Sequence, residues 1–380
     1  MQEKALLSGF ELLQTILCCP HSRSALSLVT AQELLSRLPE EERTRVPKDI
    51  TGAFVSESSQ IAYPIVGRIA CFLEQNSLRL ATNPSLKCDR RDADNLSIQQ
   101  SVKQWYDEFG WLCNETGLYN DTTLFSQGSV KTAHGIYELA SHVSLLDRLS
   151  GGDFLLDAAS GPIAHAEYLA YSWPYKHRVC VDLSLVALRE AEAKLQGKGF
   201  CCMADISRLP FQDGVFDGII SGYTIQHIGE AQQSVAVAEL YRVLKPGSHL
   251  CIITDTGLQP SGTHRALMLV LRIIRKVRHL LSIGRSRGNR EQNEQRPIIK
   301  PPHPLYFHAR NLAWWRYQAH HLTNAYSLEG LRIFTKDEFE FLFEHSIRAA
   351  KIIRALEALF PKVAAKMCSI LLVDVFKPRP

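Results

Sequence analysis

Residues Phe154–Leu169 read FLLDAASGPIAHAEYL, and the fold follows from how that stretch is parsed. An apolar run ends on a carboxylate, Asp157; small residues and one Gly161-Pro162 pair follow, and then a helix-like segment begins. A strand, a turn of small residues and a helix start outline a nucleotide-binding turn, where backbone comes close to a ligand. A dinucleotide loop needs G-x-G-x-x-G to approach a pyrophosphate, and only Gly161 is present. A ligand with an amino-acid tail in place of a phosphate fits this loop better.

Outward from the loop the pattern alternates. DFLLDAA, HRVCVDLS, FCCMADI, GIISGYT and HLCIITD read as strands. PIAHAEYLAYS starts a helix, and LVALREAEAKLQGKG and AQQSVAVAELYRVLKPG are helices with apolar spacings of three and four closed by glycine. Such alternation implies βαβ units and a parallel sheet, with ligands at the carboxyl ends of the strands. The rhythm stops after Asp255 and resumes with FTKDEFEFLFEHS, a capped helix, and SILLVDVFK, a last strand. Five segments are expected: a small module at 1–85, a linker at 86–96 (LKCDRRDADNL), a core at 97–255, a cap insertion at 256–330, and a C-terminal part of the core at 331–380.

Asp157, Asp182 and Asp205 stand at or just past the ends of three strands, about one βα unit apart. Each alone suits a helix cap or a turn; together, in this order, they point to a nucleoside. A carboxylate after the second strand accepts from ribose hydroxyls, and one after the third meets the adenine amine.

On these residues, with FDGIISGYTIQHI and ELYRVLKPGSHLCI downstream, the chain from about Ser97 resembles the class I S-adenosylmethionine-dependent methyltransferases. The resemblance implies an α/β, Rossmann-like, doubly wound seven-stranded sheet, with a small N-terminal β-rich module and a helical cap insertion. It implies S-adenosyl-L-methionine as cofactor, held by Asp157, Ala159, Gly161, Asp182, Leu183, Asp205, Ile206 and Tyr223, with Tyr106 and Trp105 able to close over it. The family loop reads Asp/Glu-x-Gly-x-Gly-x-Gly, and Ala159 and Ile163 depart from it. Alanine is a mild change if its backbone stays at negative φ; isoleucine would narrow the pocket or move the tail. SGPIAHAEYL, with YDEFGW and GLYNDT upstream, resembles a bacterial subset named mostly as methyltransferase-domain proteins, so the resemblance carries the cofactor and leaves the substrate open.

The N-terminal ILCCPHSRSALSL and FVSESSQIAYPIVGRIACFLE resemble the small zinc-ribbon-like activator of tRNA and protein methyltransferases. Aligned on Tyr63-Pro64-Ile65, its metal-ligand positions fall on Cys19, Ser22, Ser56 and Ser59. Structural zinc takes four Cys or His donors, so no zinc is expected and the module folds by its apolar runs.

Methyl transfer from a sulfonium chiefly needs an aligned nucleophile, with a base if that nucleophile is a hydroxyl. His227, after the fourth strand, is the base candidate; it equally suits a helix-start residue facing adenine. His165 and Glu167 are weaker candidates. In the cap, RALMLVLRIIRKVRHLL places Leu267, Leu271, Ile274, Val277 and Leu281 near helical spacing, with Arg272, Arg275, Lys276 and Arg278 among them. That suits a helix packed on the sheet, or a peripheral membrane contact through 265–283. PLYFHARNLAWWRYQAHH suits an apolar acceptor pocket or a docking surface for the cap.

Composition narrows the field. The 380 residues are 46% hydrophobic and 22% charged with net charge +4, which argues against a nucleic-acid partner needing a concentrated basic face. No run reaches the roughly 18 apolar residues of a membrane span. Glu3 and Glu11 argue against a signal peptide, and scattered cysteines suit a cytoplasmic core. Neither an Asn/Asp-Pro-Pro-Tyr signature nor a Pro-Cys pair follows strand four. The expected function is methyl transfer to a small-molecule or lipid-like acceptor, with O-methylation ahead. The alternatives are a tRNA or protein methyltransferase with its activator in cis, and a non-catalytic binding protein.

Overall fold

A sheet whose strand order reverses at its centre is the frame of the molecule. The computed structural model describes residues 7, 9–80, 90–115, 117–125, 133–143, 145–257, 262–282, 300–343 and 346–380. Seven strands form the C-terminal part: β6 (Gly152–Ala158), β7 (Tyr175–Asp182), β8 (Gly199–Met203), β9 (Gly218–Gly222), β10 (Ser248–Asp255), β11 (Tyr326–Arg332) and β12 (Ile370–Lys377). Their order is β8-β7-β6-β9-β10-β12-β11. The first five are mutually parallel, and β12 runs antiparallel to both β10 and β11. This is the doubly wound seven-stranded arrangement expected, with its switch point between β6 and β9.

Helices cover both faces, so Leu155, Leu156, Val179, Val181, Ile219 and Ile252 are fully buried and the central strands read as continuous apolar runs. The helix after β7, Leu185–Leu195, starts where the Ser184 hydroxyl accepts from the Ala187 N–H, and buries Ala187, Leu188, Ala191 and Leu195. It stops as Gln196 and Gly197 turn to positive φ. The connection after β6 differs from the expected helix: Ala166–Ser172 is a 3₁₀ turn whose leading residue, His165, gives no side-chain cap. Trp173-Pro174 follows at once, leaving little room for a full α-helix.

The N-terminal module is β-rich, with β1 (Ser27–Thr30), β2 (Ile50–Ser56), β3 (Ile61–Val66), β4 (Ile69–Cys71) and β5 (Leu78–Arg79). A helix, Ala31–Arg37, opens on a Thr30/Glu33 capping box. The module is built into the sheet: β4 pairs in parallel with β8, Ala70 opposite Cys202, making one twelve-stranded sheet. Phe10, Leu13, Phe54, Tyr63 and Phe72 share one core cluster with Phe211 and Phe216.

Two expected boundaries move. Residues 86–89 of the expected linker lie outside the described residues, and 90–96 belong to a helix, Arg90–Trp105. The cap ends earlier than 330, because β11 begins at Tyr326; its described parts are Gly262–Ser282, 300–311 and Leu312–Leu322. Residues 283–299, and the side chains of Arg278 and Leu281, lie outside the described residues.

Candidate active site

The carboxyl ends of β6 to β10 open into a cavity of about 690 Å³, roofed by Arg90–Trp105, the following turn Tyr106–Gly110, and residues Leu305 and Phe307 of the cap. Its floor begins with the loop after β6. Ala159, Gly161 and Ile163 all have positive φ, at 59°, 52° and 52°. The condition under which alanine would be a mild change at 159 is therefore not met: the loop keeps a left-handed backbone at all three positions although two carry a side chain. Each such residue costs about 1–2 kcal/mol, and the surroundings over-determine the conformation. The Asp182 carboxylate accepts the Gly161 N–H at 2.8 Å, and Ser160 N–H donates to the Val181 carbonyl. Lys194 donates to the carbonyls of Pro162 and Ile163 at 2.7 and 3.1 Å.

Ile163 does not narrow the pocket. It is 1% exposed and packs into a cluster with Ile69, Leu188 and Met203 beneath the loop. Gly161 has no such freedom: a Cβ there would lie 2.7 Å from the Trp111 ring, which stacks on Tyr106 with centroids 4.8 Å apart.

Asp182, Leu183, Asp205, Ile206, Tyr223 and Tyr106 line the cavity with Ala159 and Gly161. Asp157 does not. It sits two residues beyond Leu155, the partner of Arg178 on β7, so strand alternation turns both side chains to the same face away from the ligand edge. There it is buried against the Arg178 guanidinium. Burial pushes the Asp182 carboxyl up to about 6, against the N–H groups of Ser184 and Gly161. Asp107, paired with Lys103, accepts from the Ser184 hydroxyl and ties the roof to the end of β7.

His227 lines the cavity between Tyr106 and Phe307. Its Nδ1–H donates to the Tyr306 carbonyl at 2.8 Å, which leaves the lone pair on Nε2. Burial pulls its pKa down to about 4, so the ring is neutral and a weak base. His165 lines the cavity, whereas Glu167 is exposed outside it. Trp105 is buried behind Tyr106 as packing, its ring edge-on at 4.9 Å.

Among the polar residues of the cavity that the sequence did not single out are Asp255, Asp121, Arg332 and Glu138. Asp255 ends β10 as Asp182 ends β7, and that repeated position is the signal that could have found it. Burial raises it to about 6, with Arg332 opposing. Asp121 is raised to about 7 by burial, with the hydrogen bond from Tyr106 opposing. Arg332, at the end of β11, is buried; it pairs with buried Glu138 at 3.2 Å and donates to the Tyr223 hydroxyl at 2.5 Å. Burial would raise Glu138, but Arg332 and nearby histidines hold it below the usual range. Arg332 Nε has no hydrogen-bond partner among the described residues. No spacing in the sequence announces Arg332, because the closing strand delivers it.

In the module, the positions aligned with metal ligands do converge. Cys19 Sγ lies 3.6 Å from Ser59 Oγ and 3.2 Å from the Tyr63 hydroxyl. Ser59 donates to Ser22 at 2.8 Å, and its N–H donates to Ser56 Oγ. Burial opposes the thiolate, but bonds from Ser22, Tyr63 and Ser59 prevail and bring the Cys19 thiol down to about 7. Among the described residues, no group of three or more His, Cys, Asp or Glu could hold a metal ion.

Residues 156–252 match the family described as "Methyltransferase domain". Over 107 residues the chain is 35% identical to the ubiquinone/menaquinone biosynthesis C-methyltransferase UbiE of Desulfotalea psychrophila, covering 28% of this chain and 42% of that protein. Over 128 residues it is 27% identical to a demethylmenaquinone methyltransferase of Chlamydia trachomatis, covering 32% of this chain and 55% of that one. The chain thus spans about half the length of these relatives. Among solved structures, a complex of the Haloferax volcanii Trm112 methyltransferase activator with a methyltransferase superposes with TM-score 0.39 at 15% identity, over 65% of this chain and 94% of that one. Haemonchus contortus phosphoethanolamine N-methyltransferase 2 with S-adenosyl-L-methionine gives 0.42 at 14%, over 73% and 60%.

Proposed function

We propose that this protein is an S-adenosylmethionine-dependent methyltransferase acting on an apolar small molecule that carries an acidic oxygen. The observation that carries the reading is one cavity, within the size range of small-molecule sites, running from the loop and Asp182 to the buried Arg332. In this reading Asp182 accepts from the ribose hydroxyls and Asp205 meets the adenine amine, while Leu183 and Ile206 hold the ring faces. The backbone of Ala159 and Gly161 faces the amino-acid tail, which its left-handed turns leave open, and Tyr106 closes over it. Tyr223 marks the start of the acceptor side. S-adenosylmethionine, when bound, supplies a methyl group already activated by its positive sulfur.

The chain's own part is to place and ionise the acceptor. Arg332 lines the cavity, held by Glu138 and the Tyr223 hydroxyl, and a guanidinium suits an oxyanion. Such an acceptor takes a methyl group on the oxygen or on an adjacent carbon. Either route releases one proton, from the oxygen or from the methylated carbon, and His227 is a weak base for it. The relatives' names, which specify C-methylation in quinone biosynthesis, support the carbon reading. A tRNA or protein acceptor, with residues 1–85 as an activator in cis, is supported by the β4–β8 pairing. It is opposed by the apolar Ile98, Val102, Leu305 and Phe307 around the cavity.

The test is calorimetric titration of the full chain with S-adenosylmethionine, alongside Asp182→Ala. Saturable binding weakened about a hundredfold in the variant is expected, equivalent to about 3 kcal/mol for bonds to a charged acceptor. A well-folded protein that binds nothing would leave the non-catalytic reading.

A further inference from the structure

The cap and the C-terminal helices share one small core and leave large aliphatic side chains outside it. Leu267, Met268 and Leu271 of Gly262–Ser282 pack inward with Phe339 and Leu342 of the helix Lys336–Phe343, and with Ala350 and Ile353 of the helix Ile347–Leu359. The opposite stripe of Gly262–Ser282 is apolar too. Leu269, Val270, Ile273, Ile274 and Val277 recur at helical spacing and are all exposed, Leu269 by 61%. The helix Ile347–Leu359 and the short helix Pro361–Ala364 after it repeat the pattern: Ile352, Leu356, Leu359, Phe360 and Val363 are exposed, Leu359 by 70%. A soluble surface rarely presents two such stripes.

Within the segments that carry the two stripes the exposed charges have one sign, while the acids Asp337, Glu338 and Glu340 lie on the adjoining helix Lys336–Phe343. Arg265, Arg272 and Lys276 are exposed along the first, and residues 262–282 contain no Asp or Glu. Arg348, Lys351, Lys362 and Lys366 are exposed around the second. The acid within that segment, Glu357, is buried against Tyr137 and faces away from solvent. Arg275 lies over the Phe341 ring at 4.1 Å and joins Gly262–Ser282 to the helix Lys336–Phe343.

We propose that this face docks on an anionic lipid bilayer, with the aliphatic stripes entering the headgroup–acyl boundary and the arginines and lysines meeting lipid phosphates. A bilayer surface satisfies both halves of the pattern at once. A second copy placed by a two-fold axis would set basic residues against their own kind. A nucleic-acid partner would leave the aliphatic stripes in water. Among the described residues no helix is long and apolar enough to cross a membrane, so the contact is interfacial. The inference is independent of the methyltransferase reading, because its readout is lipid capture.

The experiment is co-sedimentation of the full chain with vesicles of phosphatidylcholine alone and of phosphatidylcholine with phosphatidylglycerol, at low and high salt. Anionic vesicles should bind at least about tenfold more tightly than neutral ones, with the difference shrinking in salt. Ile273→Glu/Ile352→Glu and Arg272→Glu/Lys276→Glu, all at exposed positions, should each weaken binding by about tenfold or more while the melting temperature holds. Lys198→Glu, an exposed lysine on the turn before β8, should leave binding unchanged. Failure of wild-type protein to bind anionic vesicles, or wild-type binding by both double variants, would overturn the proposal. So would a dimer in size-exclusion chromatography that Ile273→Glu/Ile352→Glu converts to monomer with no vesicle binding, since a second copy would then cover the face.

Discussion

The loop at Ala159–Ile163 and the cluster around Cys19 both depart from the residue pattern that their resemblances imply, and they depart in opposite ways. In the loop the requirement is a backbone shape. Two of the three glycine positions now carry side chains, yet all three keep φ between 52° and 59°. Hydrogen bonds from Gly161 to Asp182 and from Lys194 to the loop carbonyls, with Ile163 buried beneath, hold the shape against its strain. Around Cys19 the requirement is the chemistry of the side chains. The four positions still meet, but three are serines: the Ser59 hydroxyl donates to Ser22, and the Ser56 hydroxyl accepts the Ser59 N–H. Packing can impose a dihedral on an unwilling residue; it cannot make a serine a zinc ligand.

That contrast can be broken from the module's side. Ser22→Cys/Ser56→Cys/Ser59→Cys returns thiols to positions whose present 2.8 and 3.6 Å separations are close to the roughly 3.7 Å between sulfurs of a tetrahedral zinc site. The variant should bind one zinc per chain by metal analysis. At a free metal level ~10⁴ times the dissociation constant, it should gain about 5 kcal/mol of chelator-sensitive stability. A variant that folds and holds no metal would show that the convergence is looser than a ligand set requires.

The loop's side is sharpened by pH. Burial raises Asp182 to about 6, so below that pH it is protonated and loses the charge that the proposed ribose contact would use. Cofactor affinity should be level above about pH 7 and fall as pH drops through 6, towards tenfold per unit, as calorimetry at several pH values would read. Asp182→Asn, which cannot titrate, should be weaker and flat over that range. A wild-type profile that stays level from pH 7 to 5 would remove Asp182 from the binding role.

The smallest effect concerns strain itself. Ala159→Gly relieves a left-handed alanine worth about 1–2 kcal/mol and gives back about 0.5–1 kcal/mol in chain entropy. Urea unfolding should show a net gain of up to about 1 kcal/mol, while Ala158→Gly, on the regular strand β6, loses stability. A loss at Ala159 matching that at Ala158 would mean that the loop relaxes when its alanine goes.

Much of the site was legible because it depends on where strands end. Asp182, Asp205, Gly161 and Tyr223 follow strand ends one βα unit apart, and a parallel sheet brings such positions to one edge. Asp157 shows the limit of that rule: it is the penultimate residue of β6, and being out by a single residue reverses the face, turning it to Arg178. His227 lines the cavity, but its basicity was beyond the sequence, since enclosure by Tyr106 and Phe307 lowers it.

Local periodicity and strand-end chemistry therefore determined the doubly wound sheet, the module's β-rich character and the strand-end side of the cavity, because each arises within one or two consecutive elements. Only the tertiary structure decided that the module's β4 continues the sheet through β8, that non-glycine residues keep a glycine backbone, and that Arg332 reaches Glu138 and Tyr223 across the cavity. Those features depend on contacts between residues more than a hundred positions apart, or on packing strong enough to override a local preference, and no local pattern in the chain encodes either.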